Sequence, residues 1–99
     1  MSQKYILDEA RKPVPVTFDE WLEKFDENMR VVKQERIGGT KVSTIFLGLD
    51  HQFGGGRPLL FETMIFGGDH DGFQERCSTW DQAEEMHERA AFRVRSTAR

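Results

Sequence analysis

"RVVKQERIGGTKVSTIFLGL", residues 30–49, decides how the chain folds. Two β-prone runs flank Gly38-Gly39. Paired glycines between such runs signal a tight hairpin, because glycine takes positive φ without steric cost. The pattern predicts strands over about 31–37 and 40–48. In the second strand Val42, Thr44 and Phe46 share one face, while Ser43, Ile45 and Leu47 share the other. Apolar residues on both faces predict a central strand, covered at least partly on each side.

Downstream, "PLLFETMIF" (58–66) reads as a third strand. Pro58 can open it but could not sit in its middle. Leu60, Glu62, Met64 and Phe66 line one face; Leu59, Phe61, Thr63 and Ile65 line the other. "GGDHDG" (67–72) reads as a turn, and "FQERCS" (73–78) as a fourth strand with Phe73, Glu75 and Cys77 on one side.

Helices are expected on either side of these strands. Upstream, Thr17 and Glu20 have capping-box spacing, and Val16 and Trp21 stand where a hydrophobic staple packs. Phe18, Trp21, Leu22, Phe25 and Met29 make one apolar stripe, which predicts a helix over about 18–29. Downstream, Thr79 and Gln82 repeat the capping spacing. Trp80, Ala83, His87, Ala90 and Val94 form a stripe flanked by Met86 and Ala91, predicting a helix over about 80–95. Its start is acidic and its end basic, as the helix macrodipole favours. Before the first helix, "KYIL" suits a short strand and "DEARKPVPV" a turn and a brief extended piece, since Pro13 and Pro15 keep the residues before them out of helical geometry. The sum is one α+β domain over 1–99. A three- or four-stranded antiparallel meander is packed by two amphipathic helices, most simply with both on the sheet. Residues 1–16 form an extended and turn segment, and 96–99 a frayed tail.

Composition narrows the function classes. The chain has 99 residues, 31% charged, 37% hydrophobic and 11% aromatic, which suits one globular domain with a modest core. A net charge of −3 argues against broad binding to nucleic acid or anionic membrane. The single cysteine, Cys77, excludes an internal disulfide and a Cys-rich zinc site. No apolar run has the length of a signal peptide or a spanning helix, so the expected location is the cytoplasm and no membrane is implied.

Several residues invite a functional reading. Asp50 and His51, in "LDHQFGGGRP" (49–58), carry metal-ligating and acid–base groups. Neighbours on an extended chain point apart, however, and a strand-end Asp commonly accepts backbone N–H bonds in the following turn. Gly54, Gly55 and Gly56 match no phosphate loop, because neither Gly-Lys-Ser/Thr nor a helix follows; they soften a hairpin loop in which Arg57 could bind an anion. Asp69, His70 and Asp71 are acidic enough to attract a cation but lack the EF-hand pattern. His87 stands in an apolar stripe and needs a hydrogen-bond partner, with Thr44, Glu62 and Thr63 available. A His87–Glu62 pair would serve as a general base, or as two ligands of a metal site completed by His51. A satisfied structural histidine is the plainer reading. No catalytic motif surrounds Cys77 or any other nucleophile, no cofactor is implied, and the balance leans away from an enzyme.

"VSTIFLGLDHQFGGGRPLLFETMIFGG" followed by "STWDQAEEMH" resembles a family of small proteins of unassigned function from bacteriophage and prophage genomes. The resemblance covers residues 41–88, with weaker support from "YILDEARKPVPV". It implies a phage or prophage setting, and hence the host cytoplasm. It implies no chemistry.

Two functions compete. The first is a non-enzymatic binding protein acting on a host or phage macromolecule, by inhibiting host defence or by regulation. Trp21, Trp80 and the eight phenylalanines supply more aromatic surface than so small a core needs, which suits a protein partner or self-association. The alternative is a small-ligand or metal-binding protein using the 48–58 loop, in which His51, Glu62 and His87 converge. Nucleic-acid binding through Arg89, Arg93, Arg95 and Arg99 ranks third, since dipole capping accounts for most of those charges.

Overall fold

A computed structural model describes residues 3–26, 30–50 and 55–97. Strands β1 (Lys4–Leu7) and β2 (Pro13–Val16) form an antiparallel hairpin. The Asp8 carboxylate accepts from the Ala10 and Lys12 amides at its tip. Helix α1 (Phe18–Lys24) follows. Strands β3 (Val31–Ile37), β4 (Thr40–Phe46), β5 (Phe61–Phe66) and β6 (Gln74–Cys77) make a four-stranded antiparallel meander in sequence order. Helix α2 (Trp80–Thr97) closes the chain. The α+β class and the meander agree with the sequence reading.

Local chemistry explains the boundaries. Ile37 pairs with Thr40 across Gly38-Gly39, and Gly38 has φ 62, as the first position of a type II′ turn requires. Gln82 N–H donates to Thr79 Oγ1 at 3.1 Å and Thr79 N–H to Gln82 Oε1 at 3.2 Å, so the expected capping spacing is used at the start of α2. Thr17 and Glu20 cap α1 in the same reciprocal way. The last helix runs to Thr97, two residues past the expected end, and the Thr97 hydroxyl donates to the Arg93 and Val94 carbonyls.

The first helix differs from expectation. It ends at Lys24, and Phe25 is extended, with φ −73 and ψ 117. Leaving the helix there carries the Phe25 ring to Trp21 and Phe46, at centroid separations of 4.9 and 6.3 Å. Met29, placed on the expected stripe, lies outside the described residues. Gly48 makes the approach possible. It has φ 75, and a Cβ there would stand 2.5 Å from Phe25 Cε2 and 3.1 Å from Trp21 Nε1.

The two helices do not share the sheet. Helix α2 packs across all four strands of the meander, whereas α1 packs chiefly on β1. The buried core therefore lies between α2 and one sheet face. Phe46, Leu60, Phe61, Ala83 and Met86 form one cluster at the hairpin end. Val42, Ile65, Ala90 and Val94 form a second at the other end. Between them stand three polar residues with no exposed surface: Thr44, Thr63 and His87. No helix among the described residues is long and apolar enough to cross a membrane.

Candidate functional site

The buried polar chain is the first candidate. Paired residues on adjacent antiparallel strands point to the same face. Thr44 pairs with Thr63, and the two hydroxyls bond each other. Thr44 Oγ1 lies 2.7 Å from His87 Nδ1, and His87 Nε2 lies 2.9 Å from Glu35 Oε1. A carboxylate can only accept, so Nε2 carries a proton; in the neutral ring Nδ1 then accepts from the Thr44 hydroxyl. Thr44 oxygen is left to accept from Thr63. Every polar atom of the His87 ring is thus satisfied inside the core, as burial requires.

Carboxylate, imidazole and hydroxyl in a row have the composition of a nucleophilic triad. Access decides against that chemistry here. The hydroxyl end is sealed, with Thr44, Thr63 and His87 each at 0% exposure, and only Glu35 reaches water. No substrate atom can reach Thr44 while α2 stays in place.

The solvent end of the chain is ionic. Arg95 donates to the second Glu35 oxygen at 2.9 Å, and Lys33 donates to Glu88 at 2.9 Å. The Lys33 hydrogen bond holds the Glu88 carboxyl below its ordinary range, and that same bond raises the Lys33 ammonium. Ligand atoms of Glu35, His87 and Glu88 lie within 4.8 Å of one another, a spacing that could hold a metal ion. Yet each carboxylate already faces a side-chain cation. A metal ion would have to displace Lys33 and Arg95 to gain its ligands, and would meet their repulsion while doing so.

The residues singled out in the sequence do not assemble into one site. Glu62 pairs with Ile45 and Arg76, on the sheet face opposite His87. Its carboxylate accepts from Arg76 Nε at 2.9 Å and from Gln74 Nε2. The expected convergence of Glu62 with His87 is therefore overturned by strand alternation: Thr63 points to α2, so its neighbour Glu62 points away. His51 lies outside the described residues. Asp50 takes the structural role, accepting from Leu59 N–H at 3.1 Å across the base of the β4–β5 loop. Arg57 is exposed in that loop. The 67–72 segment is a turn in which Asp71 accepts from Gly67 N–H at 2.6 Å. The partner of His87, Glu35, was not anticipated. It sits in a strand that reads as a polar edge, and its alternation phase with Ile37 was the available signal.

The second candidate is the other face of the sheet. No described helix or strand packs across it as α2 does on the first face. Yet Ser43 and Glu62 are 8% and 9% exposed on it and Ile45 is half-buried, so β4 is central and partly covered on this side too, as expected. The residues of this face lie in three cross-strand rows: Arg36, Lys41 and Phe66; then Gln34, Ser43, Met64 and Gln74; then Val31, Ile45, Glu62 and Arg76. A bulge at Val32 and Lys33 sets two residues of β3 against Thr44 alone, which keeps both Val31 and Gln34 on this face. Val31, Ile45, Met64 and Phe66 make a broken apolar band, and Phe66 is 46% exposed. Arg76 neutralises Glu62. Arg36 and Lys41, side by side at one edge of the band, form no salt bridge among the described residues. A protein of net charge −3 thus carries a basic and apolar face.

A smaller cleft of about 220 Å³ lies between the hairpin and the end of α1, with Ile6, Leu7, Phe25 and Phe46 in its walls and Lys24 and Arg30 at its rim. Comparisons with protein-family models, with curated proteins and with solved structures give no match to this chain.

Proposed function

We propose that the protein is a non-enzymatic binding protein that docks another macromolecule on the uncovered face of its sheet. The observation that carries this reading is the combination, on that face, of exposed Phe66 with Arg36 and Lys41, which form no ion pair among the described residues. Apolar surface beside uncompensated charge on a short, otherwise acidic chain suits a partner that is itself apolar and acidic. The partner expected is a protein surface. A nucleic acid is disfavoured by one stackable ring and two free cations, where single-strand binding relies on several of each. The resemblance to phage and prophage proteins supports a host-cytoplasm setting for this encounter, in which inhibition of a defence protein and regulation of host machinery both fit.

A photo-crosslinking amino acid tests the surface. Placed at Phe66, it is expected to give covalent adducts with another protein chain in producing cells, and Arg36→Glu with Lys41→Glu is expected to abolish them. Placed at Phe92, which is 70% exposed on the outer side of α2, it is expected to give none. Adducts from position 92 alone, or adducts indifferent to the charge reversal, would overturn the proposal.

A further inference from the structure

Helix α1 presents a surface that mirrors the open face. Trp21 and Phe25 turn inward, but Phe18 and Leu22 are 57% and 60% exposed. They lie one turn apart on the same side of the helix. Asp19 and Glu23, also one turn apart, form the adjacent row, and neither has an ion-pair partner among the described residues. Glu20 is held by the capping box and Lys24 closes the helix. So α1 offers two apolar side chains beside two free carboxylates. The sheet face offers Met64 and Phe66 beside two free cations, Arg36 and Lys41. The spacing of the charged pairs agrees as well: i, i+4 residues on a helix have Cβ atoms ~5–6 Å apart, and directly paired strand residues such as Arg36 and Lys41 ~4.5–5.5 Å.

We infer that a second copy of this chain is the occupant of the open face in the free protein, with α1 of each copy seated on the sheet of the other. The inference rests on the reading that this face is a docking surface, and it names what covers the face when no other partner is present. Face-to-face pairing of two sheets would bring Arg36 and Lys41 against their own kind, whereas α1 brings opposite charge. One helix of seven residues is ~10 Å long and cannot cover the ~800 Å² per partner of a standard interface. Two such contacts related by a two-fold axis double the burial, and they also remove both exposed apolar rows at once. A macromolecular partner of the open face would then compete with α1, so dimer and partner complex exclude each other.

Sedimentation velocity on the full chain, with two charge-reversed variants, tests this. Asp19→Lys with Glu23→Lys alters only α1; Arg36→Glu with Lys41→Glu alters only the sheet face. All four positions are at the surface or its margin, and circular dichroism checks that each variant folds. The wild-type chain is expected to sediment as a dimer at tens of micromolar in low salt and to dissociate as salt is raised. Each variant alone is expected to be monomeric. An equimolar mixture of the two variants is expected to restore the dimer, because both contacts then regain opposite charge. A monomeric wild-type chain up to millimolar concentration, a dimer that survives both reversals, a mixture that stays monomeric, or a ladder of larger oligomers would each overturn the inference. Adducts at Phe66 with another protein, from a chain that is monomeric on its own, would remove the second copy while leaving the proposed function standing.

Discussion

His87 shows how much one residue can settle. It fills the middle of the core with a polar ring and divides two apolar clusters. Its bonds to Thr44 and Glu35 fix the rotation of α2 over β3 and β4, while the Thr44–Thr63 pair fixes the register of β4 against β5. A slip of one residue would carry both hydroxyls to the open face and leave the imidazole unpaired. His87→Ala is therefore expected to lower stability by about 2–5 kcal/mol, from the void and the stranded Thr44 hydroxyl, as read by urea denaturation. A loss below ~1 kcal/mol would mean the chain of bonds contributes little. That His87 needed a polar partner was legible from its apolar stripe. Its identity was not, because Glu35 belongs to an edge strand whose charges suit solvent equally well. Cys77 is a second residue with a measurable consequence. Burial pushes its thiol up from 9.0 to about 11, against a smaller opposing effect from the Thr79 backbone. The reactive thiolate is scarce at neutral pH, so alkylation by iodoacetamide at pH 8 is expected to be slower than for a free thiol and to quicken as pH rises. The unfolded chain releases this proton near 9.0 and the folded chain near 11. Stability owed to neutral Cys77 is accordingly whole below pH ~9 and lost as pH climbs towards ~11. Cys77→Ala is expected to remove that alkaline component from the denaturation profile.

Among the elements, strands and caps were the most readable parts. Gly38-Gly39, Pro58 and the two Thr-x-x-Glu/Gln spacings each impose a local geometry that needs no tertiary information. The length and seat of α1 do need it. The stripe from Phe18 to Met29 continues the helical period past Lys24, and nothing in the period reveals that Phe25 leaves the helix to meet Phe46. A seven-residue helix has little stability of its own, so packing decides where it ends. Gly48 is the structural cause of that packing, and Gly48→Ala tests it. A methyl group at this position collides with the Phe25 ring, and φ 75 is strained for alanine. The substitution is expected to release α1 from the sheet end, seen as a red shift of Trp21 fluorescence in a Trp80→Phe background, while α2 and the meander persist. An unchanged spectrum would show that α1 is held by other contacts.

At the scale of the whole molecule, the fold is a one-sided sheet with a helix on its back and a hairpin and short helix at one end. Alternation along β4 and β5 correctly separates two sets of side chains. It cannot say which set α2 covers, because Ile45, Met64 and Phe66 are as apolar as residues that do enter the core. Lys41 and Glu62 are the charged residues of β4 and β5 that mark the face away from α2, although Glu62 itself is buried beside Arg76. The uncovered face is where the proposed function resides, so its freedom from internal packing is the claim everything else depends on. Met64 and Ile65 are neighbours in β5 that point to opposite faces, which allows a direct comparison of Met64→Lys with Ile65→Lys by urea denaturation. Ile65 has no exposed surface beneath α2, so a lysine there buries an unpaired charge and is expected to unfold the protein. Met64→Lys is expected to leave stability within ~1 kcal/mol of the wild-type chain. If Met64→Lys unfolds the protein as readily as Ile65→Lys, the second face is packed and not free, and no docking surface remains there.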